Sequence, residues 1–468
     1  MMAQERLRIA VIGSGGASMA AALKAAEEGA EVTLIEKDVI GGTCVNIGCV
    51  PSKILLRAAH IAHIRRHSPF DHTITAKPPN IDRQKLNQQK KMRVEQLRDN
   101  KYEAILSEND AITVVRGEAK FHDTNTLKVS LNGGQEQLVS FDKAFIGTGA
   151  RPAIPNISGL SATPYLTSTT ALELTKTPSS IVVIGAGFVA LELAQAFARL
   201  GTQVTILARS RLLSSEDPAI AEVIEEALTN ESITICNDTE ARYISYRNNS
   251  FKIELSDRAL SSDQLLIATG REANTENLNL ESIGVETLNG KILVNDYAET
   301  TANSIYAGGD CTNSPEFVYV AAALGKRAAI NMMGGNAKIE LSTMPTVMFT
   351  EPQVATAGLS EEKAIAQGLS VETRTLQLDQ VPRALVNFDT CGFVKMVAER
   401  ESGKLLGVQV IAADAGEVIQ TAVMALRSEL TVERLGNELF PYLTMVEGLK
   451  LCAQTFTKDL SQLSCCAG

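Results

Sequence analysis

The sequence predicts an α/β protein with two Rossmann-like dinucleotide-binding units and a further C-terminal region. Two observations carry this. The pattern of apolar strand, glycine turn, helix and second strand occurs twice, and 468 residues leave room for roughly three domains at ~150 residues each.

The first unit opens with residues 7–12 (Leu-Arg-Ile-Ala-Val-Ile), which read as a buried parallel strand. Gly13-Ser14-Gly15-Gly16-Ala17-Ser18 follows, then an alanine-rich helix to about residue 28 and a strand over 31–35 ending in Glu36. A tight glycine turn lets a pyrophosphate approach the helix N-terminus, and an acid at the end of the second strand accepts from ribose hydroxyls. Ser18 stands where the fingerprint has its third glycine. Taken alone, the loop also reads as a plain strand-to-helix turn; strand, turn, helix, strand and acid in register favour the nucleotide site. Residues 81–107 are polar, with no Gly or Pro over 85–98, and predict a long helix.

The second unit has a strand over 180–184, the turn Gly185-Ala186-Gly187-Phe188, a helix through Leu200 and a strand over 203–207. That strand ends in Ala208-Arg209-Ser210-Arg211 instead of an acid. Two guanidiniums without a carboxylate suit a 2'-phosphate, so NADPH is expected over NADH. The alternative is that both arginines belong to a solvated loop.

Composition excludes several classes. The net charge is -10 without a sustained basic run, which argues against a nucleic-acid partner. No apolar stretch approaches the ~18 to 20 residues of a membrane span, so stable membrane insertion is not expected. No signal peptide precedes the first strand, which gives a cytoplasmic expectation. The eight cysteines are then expected to be reduced, with any disulfide catalytic. Cys236 reads as a strand core residue and Cys311, Cys391 and Cys452 as structural or incidental, not ligands; His60, His63 and His67 share helical spacing and read as a solvated face.

Two cysteine pairs remain. Gly41-Gly42-Thr43-Cys44-Val45-Asn46-Ile47-Gly48-Cys49-Val50-Pro51-Ser52-Lys53 holds a two-electron switch, and the sequence ends in Cys465-Cys466-Ala467-Gly468. Adjacent thiolates on a tail suit a soft metal better than a structural role, although such a pair can also be incidental. The segment 41–53, with Phe145-Ile146-Gly147-Thr148-Gly149-Ala150, Leu266-Ile267-Ala268-Thr269-Gly270-Arg271 and Ile305-Tyr306-Ala307-Gly308-Gly309-Asp310 in order, resembles the flavin-dependent pyridine nucleotide-disulfide oxidoreductases. The resemblance covers essentially the whole chain. It implies an FAD domain at 1–150 and 271–340, an inserted NADPH domain at 151–270, and an α+β dimerisation domain at 341–468.

The resemblance also assigns roles. Cys49 is the thiolate against the flavin and Cys44 the interchange thiol; Lys53 lies near the flavin, with Glu192 as its ion-pair partner. Gly13, Gly15, Ser18, Glu36, Asp38, Thr43, Ala119, Asp310 and Val318 match FAD-lining positions. Gly185, Gly187, Arg209 and Arg211 serve NADPH, and Phe188 stands where relatives carry a shielding tyrosine.

The electron acceptor follows from a missing residue. Disulfide reductases of this family use a C-terminal histidine as proton shuttle, but all five histidines precede residue 123, and residues 439–448 read Leu-Phe-Pro-Tyr-Leu-Thr-Met-Val-Glu-Gly. This segment and the terminal Cys465-Cys466 are similar to the mercuric reductase branch. That branch implies Hg(II) as substrate, with Cys44, Cys49, Cys465 and Cys466 as its ligands and Tyr102 and Tyr442 as active-site tyrosines. It further implies a homodimer whose tail and Tyr442 act across the interface, supplied by small thiols carrying the metal. Many members start with a GMTCxxC-type metal-binding domain, which this sequence lacks. Two other functions stay open: a reductase of low-molecular-weight or lipoyl disulfides, and a non-enzymatic thiol buffer for metals.

Overall fold

Residues 9–12 are apolar on successive positions, as a strand covered on both faces requires. The computed structural model, which describes residues 6–70 and 73–459, places them in strand β1 (Arg8–Ile12) of a seven-stranded sheet. β1 lies between β2 (Glu31–Glu36) and β6 (Lys143–Ile146), both parallel to it, and Ile305–Ala307 extends the parallel set beyond β6. On the other side, β3 (Ile112–Asp123) pairs parallel with β2 through Arg116, then turns into an antiparallel ladder with β4 (Thr126–Leu131) and β5 (Glu136–Ser140).

Helix α1 (Gly16–Glu27) buries Ala17, Ala21, Ala22 and Ala25. Small residues let it approach the helix Val318–Met332 closely; a Cβ on Gly325 would lie 2.0 Å from the Ala17 carbonyl. The cysteine segment forms α2 (Gly42–Asn46) and α3 (Cys49–Arg66). The polar stretch forms α4 (Arg83–Arg98), then a π-helical turn at Asp99–Glu103 and a last turn at Ala104–Ser107. The π turn was not expected from sequence, and it carries Tyr102.

The second unit is a parallel sheet in the order 234–236, 203–207, 180–184, 264–267, 166–167, with a three-stranded antiparallel sheet beside it. The chain leaves the first sheet at Ala150–Pro152 and returns at Arg271–Ala273, two segments paired antiparallel. Residues 346–412 form a five-stranded antiparallel sheet, covered by the helices Ala415–Arg427 and Glu447–Gln454.

The three parts meet along α3. Leu55, Ala59 and Ala62 pack in one core with Ala190, Leu193 and Phe197 of the helix Phe188–Arg199, and Met348, Val354 and Ile411 join from the C-terminal sheet. This seam corrects the reading of the histidines. His60 and His63 face it and lie 3.4 Å from a Glu351 carboxylate oxygen and 3.8 Å from one of Glu231, respectively. They belong to a partly buried polar cluster, not a solvated face.

Candidate functional site

Gly48 precedes α3 because a larger residue would strike the Thr43 carbonyl, 3.0 Å from its Cβ position. That turn sets Cys44 in α2 against Cys49 at the head of α3, both as free thiols. The Cys44 thiol donates a hydrogen bond to the Cys49 sulfur. Together with the Lys53 ammonium, it brings Cys49 down to about 7, against the opposing effect of burial. The same hydrogen bond, burial and the charge on Cys49 push Cys44 up. The dithiol is therefore asymmetric, with Cys49 carrying the negative charge near neutral pH.

Lys53 is one turn beyond Cys49 on the same face of α3. Its Nζ lies 2.7 Å from Glu192 Oε2 and 4.6 Å from the centroid of the Phe349 ring. Glu192 is buried, and its second oxygen accepts from the Phe349 N–H at 2.9 Å, so both carboxylate oxygens are satisfied. Tyr102 joins from the π turn. Burial raises its phenol, followed by the charges of Cys44 and Cys49, and a Cβ on Gly41 would lie 3.6 Å from its ring.

The first glycine turn abuts the dithiol. Gly42 has φ 63, and a Cβ there would lie 2.7 Å from Gly15 Cα. Gly13 has φ 96 and backs onto the Gly147 carbonyl at 2.5 Å from its Cβ position, whereas Gly15 faces open space. Glu36 is buried and accepts from Ser14 Oγ at 2.6 Å and from the Asp38 N–H at 2.8 Å. Ser14 in turn accepts from the Gly41 N–H at 3.1 Å, a link from the acid to the cysteine segment that sequence reading missed. Ser18 is buried with its hydroxyl 3.3 Å from the Ile12 and Gly147 carbonyls, so it pins α1 to the sheet instead of facing a ligand. Val318 lies 3.0 Å from the Cβ position of Gly16, and Thr43 lies within α2. Asp310 is 3.5 Å from Arg271 Nε, and burial raises its carboxyl. Ala119 departs from expectation: its methyl is in the core beneath β3, leaving only main chain to offer a ligand. An open glycine at an uncapped helix start and a buried acid at the next strand end fit the pyrophosphate and ribose of FAD.

The second turn repeats the arrangement. Gly185 backs onto the Ala268 carbonyl, Gly187 opens onto space, and half-buried Phe188 begins the helix. This fits a second dinucleotide. The two arginines, however, do not act as a pair. Arg211 donates to the carbonyls of Leu212, Leu213, Ser214 and Glu216 and thereby shapes its own loop. Arg209 is exposed.

Tyr442 lies half-exposed ahead of the helix Glu447–Gln454, near Leu439, which is 97% exposed. Cys465 and Cys466 lie outside the described residues. Cys236, Cys311 and Cys452 are buried and Cys391 is exposed. Among the described residues, no group of three or more His, Cys, Asp or Glu could hold a metal ion, and no helix is long and apolar enough to cross a membrane.

A family model of the pyridine nucleotide-disulphide oxidoreductases matches residues 7–325, and that of their dimerisation domain matches residues 344–453. The chain belongs to the pyridine nucleotide-disulphide oxidoreductase family, its cofactors are FAD and NADPH, and its C-terminal part, the dimerisation domain, supports a homodimer. It is 57% identical to a mercuric reductase of Acidithiobacillus ferrooxidans over 99% of this chain and 85% of that protein. It is also 57% identical to one of Shigella flexneri over 99% and 83%. Among solved structures, the HOCl-induced flavoprotein disulfide reductase RclA from Escherichia coli superposes with TM-score 0.86 at 29% identity, covering 96% of this chain and all of that one. LpdA from Mycobacterium tuberculosis does so with TM-score 0.88 at 26% identity, covering 97% and 100%.

Proposed function

We propose that this chain is an NADPH-dependent flavoenzyme that reduces thiolate-bound Hg(II) to volatile Hg(0). The observation that carries the proposal is the Cys44/Cys49 dithiol beside the Lys53–Glu192 pair, in a chain whose near-full-length relatives are mercuric reductases. FAD, held at the turn of Gly13 and Gly15 with Glu36, would supply the two-electron relay between NADPH and the metal.

The residues supply the rest. Cys465 and Cys466 take Hg(II) from small thiols, and each exchange replaces one Hg–S bond with another, so no bare cation forms. Transfer to Cys44 and Cys49 places the metal between two sulfurs beside Lys53. Tyr102, already against that pair, steadies the handover as weak ligand or hydrogen-bond donor, and Tyr442 of the partner subunit does the same from the other side. On uptake of two electrons both Hg–S bonds break, each sulfur keeps its bonding pair as thiolate, and Hg(0) leaves. The sum is NADPH + Hg(II) giving NADP+ + H+ + Hg(0). No carbon–sulfur or sulfur–sulfur bond requires protonation, which accounts for a C-terminal segment without histidine.

The same reading gives an FAD domain at 1–150 and 271–340, an NADPH domain at 151–270 and an interface domain at 341–468, in a cytoplasmic homodimer with shared sites. The paired crossings at 150–152 and 271–273 support the first two boundaries. The deciding experiment is anaerobic NADPH oxidation with Hg(II) and excess thiol, with evolved mercury trapped. Stoichiometric Hg(0) is expected. Turnover of a small disulfide without metal would indicate a disulfide reductase instead, and Hg(II) binding without NADPH oxidation a metal buffer.

A further inference from the structure

The Lys53–Glu192 pair has an anchor beyond its own two residues. Phe349 touches both partners: its N–H is on Glu192 and its ring is under Lys53. The ring is 40% exposed, so its own packing does not fix it. What does fix the segment lies two residues on. Gln195, buried and one turn beyond Glu192, grips the main chain of Glu351 from both sides. Its Nε2 donates to the Glu351 carbonyl at 2.7 Å and its Oε1 accepts from the Glu351 N–H at 2.8 Å. The remaining Nε2 hydrogen donates to Glu231 Oε1 at 2.8 Å, and Glu231 is held by Arg199 at 2.6 Å. Glu192, Gln195 and Arg199 form one stripe of a single helix, facing the Lys53–His60–His63 stripe of α3.

We propose that Gln195 is a positioning residue of the redox site. By clamping residues 349–351, it keeps the Phe349 ring and N–H in place and so holds the Lys53 ammonium toward Cys49 instead of solvent. The Lys53 side chain is 37% exposed, so without the clamp water competes for it. A carboxamide suits this position because it offers an acceptor and a donor to the N–H and C=O of one residue while also donating to Glu231. The inference rests on the reading of Cys49 as the thiolate against the flavin.

The test uses the two-electron-reduced holoenzyme at one fixed neutral pH and reads the long-wavelength absorption of a thiolate lying against flavin, together with the thermal midpoint. Gln195→Met keeps the side-chain length and removes every hydrogen bond; the band is expected to fall about two- to fivefold as the Lys53 ammonium turns from Cys49 toward solvent. Phe349→Ala, a change at a half-exposed ring, should lower the band in the same direction. The double variant should show no loss beyond the larger single one, since both act through one contact. A lowered thermal midpoint with an undiminished band in Gln195→Met would mean the residue is only structural and would overturn the proposal, as would additive losses. If Gln195→Met does not retain FAD, Phe349→Ala decides alone, and an unchanged band sinks the idea. A parent enzyme without the band would instead refute the underlying assignment of Cys49.

Discussion

Cys49 receives the Cys44 thiol hydrogen bond, the Lys53 charge and the head of α3, all of which favour its anion. On two-electron reduction a long-wavelength band is therefore expected, abolished in Cys49→Ser and retained in Cys44→Ser; the reverse result would exchange the two sulfur roles. The arginines of the second unit divide in a different way. Arg209 is exposed at the strand end, where a 2'-phosphate would meet it, whereas Arg211 is tied to four carbonyls of its own loop. Arg209→Gln should raise the KM for NADPH about ten- to hundredfold with little change in kcat, the scale of one charge-assisted hydrogen bond of ~1.5–3 kcal/mol. It should leave the KM for NADH alone. Arg211→Gln should instead lower the thermal midpoint. Equal use of NADPH and NADH by the parent would defeat the assignment.

At the scale of elements, the seam between α3 and the helix Phe188–Arg199 carries a pH dependence of its own. Glu351 is raised to about 7 from 4.5, chiefly by burial, so folding favours its protonated form. The resulting destabilisation is absent below about pH 4.5, grows through the interval and is complete above pH 7. His60 runs oppositely. Burial first, then Arg199, lowers it to about 4 from 6.5, so its contribution to stability is lost as pH falls through that window. Arg199 Nη1 lies 3.3 Å from His60 Nδ1, so a neutral ring accepts from the guanidinium, and Glu351 Oε1 lies 3.4 Å from the same nitrogen. Glu351→Gln should therefore stabilise the protein by about 1–3 kcal/mol at pH 8. The gain should shrink several-fold at pH 5, as read by urea unfolding at the two pH values. A gain equal at both would show that burial of this carboxyl is not what is being relieved.

This seam also marks where sequence stops being legible. Strand, glycine turn and helix are local patterns, so β1, α1, β2 and the second unit could be read from residue order. The dithiol and the Lys53–Glu192 pair were legible through resemblance, although their partners lie 139 positions apart. Phe349 meets Glu192 across 157 positions and Gln195 meets Glu351 across 156, and no spacing rule reaches so far. His60 and His63 were misread for the same reason: periodicity tells which residues share a face of α3, but not which element covers that face. The π turn escaped notice because 99–103 contain no Gly or Pro to interrupt a helix, and no local residue pattern separates a π-helical turn from an α-helical one.

For the whole molecule, the question is how a metal held by outside thiols reaches Cys44 and Cys49. The dimerisation domain presents Leu439 almost wholly, and Tyr442 by about half, to the exterior of a single chain, as expected of a segment that a second subunit covers. If the tail dithiol serves the site of the partner subunit, neither subunit alone holds a complete path. Replacing Cys465 and Cys466 by alanine should leave FAD binding and NADPH-driven reduction of an artificial flavin acceptor intact. Turnover of Hg(II) presented as a dithiol complex should fall at least about tenfold, because a single thiolate pair has no second pair with which to exchange stepwise. A mixed dimer then separates the two geometries. One subunit lacks Cys465 and Cys466 but keeps Cys44 and Cys49; the other keeps its tail but carries Cys44→Ala and Cys49→Ala. If each tail serves its own subunit, neither half is complete and the mixed dimer is as slow as the tail variant. If the tail crosses, one of the two sites is whole, and turnover should recover to about half that of the parent. Thiol-complexed Hg(II) reduction that is indifferent to the double alanine change would remove the tail from the mechanism altogether.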